Sequence, residues 1–357
     1  MDYRHLKAMT DENGMIQFSI NGVPDLTSGY TVDDNARALL VALGMDGEDR
    51  ARYSLIYAKF MHRAQRENGT WCNWQIGTEF VPDIDSEDSF GRAFLACTVA
   101  AQCDIMEVRR LSVEMALRAL PRLRELHSPR AMAYVMVAVS LGVDGLRQHR
   151  AYLELVAREY CQVLIASYMT HRSPGWHWFE DRLTYCNAIL PHALFAYYRI
   201  SDDKKALRVA EDTINFLAAA LVKEGFLDIV GNRGWWTRGN TMPLYDQQPV
   251  DACSLALAAM EAYRVTGRND YYQIVDLARA WYWGKNRNRI SLYNVKTGGC
   301  HDALTEYGVN GNQGAEALLS FLLTQQAWQR MQKGELELEK LIGSRQSSRQ
   351  IVLGVKR

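Results

Sequence analysis

Six times along this 357-residue chain, a polar or acidic cluster is followed at once by an apolar segment with helical spacing. No other feature constrains the fold as tightly. The clusters are Thr31-Val-Asp-Asp34, Ser86-Glu-Asp88, Ser128-Pro129, Glu180-Asp181, Gln248-Pro-Val-Asp251 and Asn312-Gln313. The helices they open span about 32–43, 86–103, 128–142, 181–200, 248–266 and 312–331. Pro191 falls inside the fourth and is expected to kink or break it. Thr31 is placed to cap the first, with Asp34 at the capping-box position; Ser128 caps the third, with Pro129 in its first turn. Each of the first five helices turns quickly into a partner helix. The return connections are mostly long and rich in Gly and Trp, His127-Ser128 being the exception. Strand alternation is scarce, and 11–31 reads as a loop. Helical hairpins with short turns at one end and long loops at the other predict an all-α ring of inner and outer helices. A short first helix, near 3–10, closes it. The long loops and the six helix starts then share one face, where binding residues collect. The ring takes up residues 1–331 as one domain; 332–357 reads as a surface helix and a flexible tail.

Composition excludes several classes of function. Lys+Arg and Asp+Glu each number 41, so no net charge draws the chain to nucleic acid or an anionic membrane. No apolar run approaches the roughly 18 residues of a membrane span, and the N-terminal residues lack the apolar core of a signal peptide. The seven cysteines form no Cys-x-x-Cys pair, which suggests reduced thiols and a cytoplasmic location. No metal-ligand spacing, P-loop or Rossmann fingerprint is present, so neither a metal nor a cofactor is expected.

Five stretches resemble one known group: Gly29-Tyr-Thr-Val-Asp-Asp-Asn-Ala-Arg37, Asp85-Ser-Glu-Asp-Ser-Phe-Gly-Arg92, Ser128-Pro-Arg-Ala131, Trp178-Phe-Glu-Asp-Arg-Leu-Thr-Tyr-Cys-Asn187 and Gly311-Asn-Gln-Gly-Ala-Glu316. On these residues the chain resembles the (α/α)6-toroid, six-hairpin glycosidase-like superfamily. More specifically, it is similar to a bacterial family encoded beside, or fused to, group-1 glycosyltransferases. The resemblance runs from about residue 3 to about 330. It implies a carbohydrate-active enzyme with an oligosaccharide substrate and a functional link to a glycosyltransferase.

Glycoside hydrolysis needs two carboxyl groups across a sugar, roughly 5–5.5 Å apart for retention and 6.5–9.5 Å for inversion. Glu180 is the expected general acid, because Trp176, His177, Trp178 and Phe179 precede it and aromatic faces raise a carboxyl pKa by desolvation. Asp88 and Asp34, each in a helix's first turn where ionisation is favoured, are the expected base partners. Asp33, Glu87, Asp251 and Asp302 join them as substrate-binding acids; each could equally be a cap. Arg37 and Arg92 follow Asp33 and Asp88 by four residues. They read either as intrahelical ion pairs or as guanidinium groups that orient the acids. Asn187, Gln248, Asn312 and Gln313 suit sugar hydroxyls or helix-end backbone. Trp74, Trp176, Trp178, Trp235 and Trp236 offer stacking faces or loop packing. The leading expectation is a glycoside hydrolase. A sugar epimerase would instead need His177 or His301 opposite another titratable group. A glycan-binding module accessory to a glycosyltransferase would keep the aromatic and amide lining alone.

Overall fold

The computed structural model describes residues 1–334 of the 357. The expected surface helix and tail at 332–357 lie, from 335 onward, outside the described residues. Twelve α-helices dominate the described part: α1 Arg4–Ala8, α2 Val32–Leu43, α3 Gly47–Ala64, α4 Glu87–Ala100, α5 Met106–Ala119, α6 Pro129–Gly142, α7 Arg150–His171, α8 Ile189–Ser201, α9 Lys204–Leu221, α10 Pro249–Thr266, α11 Asn269–Tyr282 and α12 Ala315–Lys333.

The even-numbered helices form the inner ring. Each packs on the next, and α12 returns to α2, so the ring closes. The odd-numbered helices from α3 to α11 pack on the outside against their hairpin partners, and α1 packs on α12. The protein is an (α/α)6 toroid. Residue pattern explains which helices go inside. Inner α6 is buried almost all round, from Ala131 to Gly142. Outer α9 buries only the stripe Ala206, Val209, Ala210, Thr213, Ile214, Leu217 and Leu221, as an amphipathic surface helix does. Small residues let inner helices approach closely. A Cβ at Gly142 would lie 2.6 Å from the carbonyl oxygen of Thr98 on α4.

Local chemistry sets the helix starts. Thr31 accepts from the Asp34 N–H at 3.1 Å, Ser86 closes a capping box with Ser89, and Ser128 accepts from the Ala131 N–H with Pro129 in the first turn. Two starts differ from expectation. α8 begins at Ile189, not at 181, because Asn187 spends its side chain on the Thr184 N–H and C=O. Pro191 therefore sits in the first turn, where its missing N–H removes no helix bond, and no kink results. α12 begins at Ala315, with Gly314 as cap, so Asn312 and Gln313 belong to the preceding loop.

The segment at 11–31 is not a plain loop. β1 (Ile16–Ile20) and β2 (Val23–Thr31) form an antiparallel hairpin, extended by β3 (Trp74–Ile76) and β4 (Glu79–Val81) into a four-stranded sheet. Its turn is Asn21-Gly22, both residues at positive φ, the pair that a tight hairpin favours. Gly29, at φ +73°, lies so close to β3 that a Cβ would meet the Gln75 carbonyl oxygen at 2.1 Å. Among the described residues, no helix is long and apolar enough to cross a membrane. All seven cysteines are buried and free.

Candidate active site

Over the starts of α2, α10 and α12, the loops enclose a cavity of about 290 Å³. Asp33, Asp34, Arg37, Gln248, Asp302 and Glu316 line it, with Asn73, Gln17, Phe18 and Ile84 at its walls. Four carboxyl groups thus face one space. No histidine is among the described residues lining it.

Two arginines hold the adjacent aspartates. Arg92, from α4, donates to Asp33 at 2.9 Å, and Asn73 donates to the other Asp33 oxygen at 3.3 Å. Arg37 donates to Asp34 at 3.0 Å through one nitrogen and to Glu316 at 2.8 Å through another. Arg37 therefore bridges the first and last inner helices. Its partner on its own helix is Asp34 rather than Asp33, and Arg92 pairs across helices rather than with Asp88.

The two aspartates titrate in opposite directions. Burial disfavours charge on Asp33, but the Arg92 and Arg37 guanidinium groups more than offset it and hold its carboxyl below the usual range. Burial dominates at Asp34. Glu316 and Asp33 add to it, Arg37 opposes it, and the carboxyl is pushed up to about 7. Asp302 accepts the Gly314 N–H at 2.6 Å, yet burial pushes it up to about 6. Asp251, in the first turn of α10, is likewise pushed up to about 7, by burial and then by Glu316.

Glu87, Asp88 and Glu180 form a second group, over α4 and α6. Asp88 accepts from Ser128 Oγ and Tyr185 Oη, both at 2.7 Å. Glu87 accepts the His127 and Ser128 backbone N–H groups. Glu180 is paired with Arg130 at 3.2 Å. Arg130 also donates to the Tyr185 carbonyl and to Thr184 Oγ1, and its guanidinium stacks on the Tyr185 ring. The expected aromatic enclosure of Glu180 is absent. Trp176 and Trp178 turn away into the core, where Trp176 packs edge-on against Phe216 and Trp236, and Trp178 is fully buried beside Phe179. Their faces are therefore closed to a sugar. Trp236 lies stacked on Phe216, and half-buried Trp74 donates to the Ser28 carbonyl. Trp235, half-buried beside Tyr185, keeps a partly open ring.

The remaining expected residues are accounted for locally. Gln313 is buried, its backbone N–H on Ser19 Oγ and its side chain accepting from Thr297. Asn312 accepts the Asn21 N–H of the hairpin turn. Asn187 stabilises the loop before α8. The His301 ring meets the Asn310 carbonyl at 2.7 Å, and His177 is exposed against Phe216. Sequence did not single out Asn73, Gln17, Phe18 and Ile84 at the cavity, nor Arg130 beside Glu180. Arg130 stood within the Ser128-Pro-Arg-Ala131 stretch. Asn73 stood in a long loop with nothing to mark its pairing across 40 positions to Asp33. Glu316, the last residue of the Gly311-Asn-Gln-Gly-Ala-Glu316 stretch, lines the cavity and accepts from Arg37.

No protein-family model matches the chain, and no curated protein matches it in sequence. Solved structures do match in fold. A D-mannose isomerase superposes with a TM-score of 0.68 at 14% identity, covering 92% of this chain and 95% of that one. A cellobiose 2-epimerase from Bacillus thermoamylovorans gives 0.69 at 9%, covering 92% and 95%. A GH76A alpha-1,6-mannanase from Salegentibacter gives 0.63 at 13%, covering 91% and 96%.

Proposed function

We propose that the protein is a carbohydrate-active enzyme, a glycoside hydrolase in which Asp34 is the general acid and Asp33 the ionised partner. The observation that carries this is the pair itself. Two consecutive carboxyls line one cavity, one held below the ordinary range by arginines and one raised to about 7. Carboxyls pushed apart in this way divide acid and base roles between them. Asp34 delivers its proton to the glycosidic oxygen as the C–O bond breaks. Asp33 faces the anomeric carbon, where positive charge develops, and serves the incoming water. Arg37 and Arg92 fix both groups, and burial, with like-charge repulsion from Glu316 added, keeps Asp34 protonated. Gln248, Asn73 and Asp302 offer hydrogen bonds to hydroxyls. Glu180 and Asp88 lie outside the cavity, Glu180 paired with Arg130 and Asp88 accepting from Ser128 and Tyr185, so in this reading the acid role passes from Glu180 to Asp34.

The fold neighbours include isomerases and epimerases as well as a mannanase, so the test must separate these chemistries. Reducing-sugar release across a panel of oligosaccharides, mannose-linked ones included, followed by NMR of the first-formed anomer, does so. Release of sugar that disappears in Asp34→Asn supports the hydrolase. Interconversion of free sugars without release supports an epimerase. Binding with neither leaves a glycan-binding module, in which case a link to a glycosyltransferase becomes the reading to pursue.

A further inference from the structure

Beneath the acid cluster, on the axis of the toroid, the six inner helices leave a second cavity, of about 90 Å³. Five of them contribute an aliphatic residue to its wall about eight positions into the helix: Leu40, Leu95, Val137, Leu257 and Leu323. One turn nearer the helix starts stand Arg37 and Arg92, whose guanidinium groups reach Asp34 and Asp33. Three polar atoms in the wall have no hydrogen-bond partner: His192 Nδ1, Ser254 Oγ and Ser320 Oγ. Their residues are only 8%, 9% and 1% exposed. They stand on α8, α10 and α12, which are consecutive in the ring, so one side of the cavity is polar. Burial pushes the His192 imidazole down to about 4, so it is neutral.

Water alone suits this space poorly. The volume takes about three waters at roughly 30 Å³ each, and each water seeks two to four polar partners. The unpartnered atoms number three, and the aliphatic wall offers none. A molecule with an apolar body and one hydroxyl satisfies both sides. An apolar cavity of roughly 150 Å³ takes up benzene, so a smaller body of about four or five heavy atoms matches this one.

We propose that the axial cavity is a second ligand site, distinct from the cleft above it. It binds a short neutral alcohol, hydroxyl on Ser254, Ser320 and His192, alkyl chain against the aliphatic wall. The proposal stands whether or not the protein hydrolyses glycosides. The probe is 1-butanol, titrated into methyl-labelled protein and followed by NMR, with crystals soaked in parallel. Expected are saturable shifts confined to the methyls that line the cavity, those of Leu40, Leu95, Val137, Ile189, Leu257 and Leu323 among them. Soaked crystals should show the butanol oxygen within hydrogen-bond distance of a serine hydroxyl. The double variant Ser254→Ala/Ser320→Ala should bind 1-butanol about fivefold more weakly, the size of one lost neutral hydrogen bond. Its affinity for 1-chlorobutane, which has no donor, should not change. Leu257→Phe should fill the space and abolish both; Val137→Leu, a smaller filling, covers the case in which Leu257→Phe does not fold. Unsaturable shifts spread over many methyls, ordered waters in the soaked crystals, or equal butanol affinity in the double serine variant would each overturn the proposal.

Discussion

Between the ordinary carboxylate range and about pH 7, Asp34 holds a proton while Asp33, one residue earlier, does not. Their arginines differ in what else they hold: Arg92 serves Asp33, while Arg37 divides itself between Asp34 and Glu316. Asp34→Asn or Asp33→Asn should lower kcat by about 10²–10⁴-fold with the far-UV circular dichroism unchanged. The pH profile of kcat/KM should be a bell whose alkaline limb falls near 7, as Asp34 loses its proton. Arg92→Gln removes the guanidinium that keeps Asp33 ionised. It should move the acid limb to higher pH and leave the alkaline limb in place, which initial rates across pH will show. Stability follows the same group with the opposite preference from most carboxylates. The folded pKa of Asp34 is raised, so the folded chain binds this proton more tightly than the unfolded chain. Its contribution is complete below about pH 4 and is lost as pH rises to about 7, a span worth at most ~4 kcal/mol. The stability of wild type relative to Asp34→Asn should therefore decline over that interval in denaturant titrations. The proposed choice of Asp34 over Glu180 as the acid was not legible in the sequence. Both follow sensible local rules, but the deciding neighbours, Glu316 and Arg130, arrive from 282 and 50 positions away.

Helix starts were readable because caps are local: Thr31, Ser86 and Ser128 each act within three residues of themselves. The hairpin was not read, although Asn21-Gly22 between Phe18-Ser-Ile20 and Val23 is the short-range signal for one. The helical rhythm of the rest of the chain obscured it. The aromatic loop misled for a different reason. Trp176 and Trp178 stand in a connection, but Phe216 of α9 gives both rings a partner, and burial prevailed over display. Two glycines test how these elements approach one another. Gly29→Ala puts a Cβ at a positive φ and against the Gln75 carbonyl, so it should cost more than ~1 kcal/mol and loosen β2 from β3. Hydrogen exchange at Tyr30 and Gln75 would report the loosening. Gly142→Ala, pressed on the Thr98 carbonyl, should cost about 1–3 kcal/mol in thermal unfolding by separating α4 from α6.

The ring closes where α12 meets α2, and Arg37–Glu316 spans that seam within the candidate site. α12 also covers apolar faces of α10 and α11. Ending the chain before Ala315 should therefore leave insoluble protein rather than a shorter stable ring, which soluble yield and circular dichroism will show. Because Asp302 and Glu316 come so late in the described chain, a nascent polypeptide still on the ribosome has no complete acid cluster until its final inner helix emerges. A translation product that stops before Glu316 therefore lacks the partner that Arg37 finds on the last inner helix, and with it the complete candidate site.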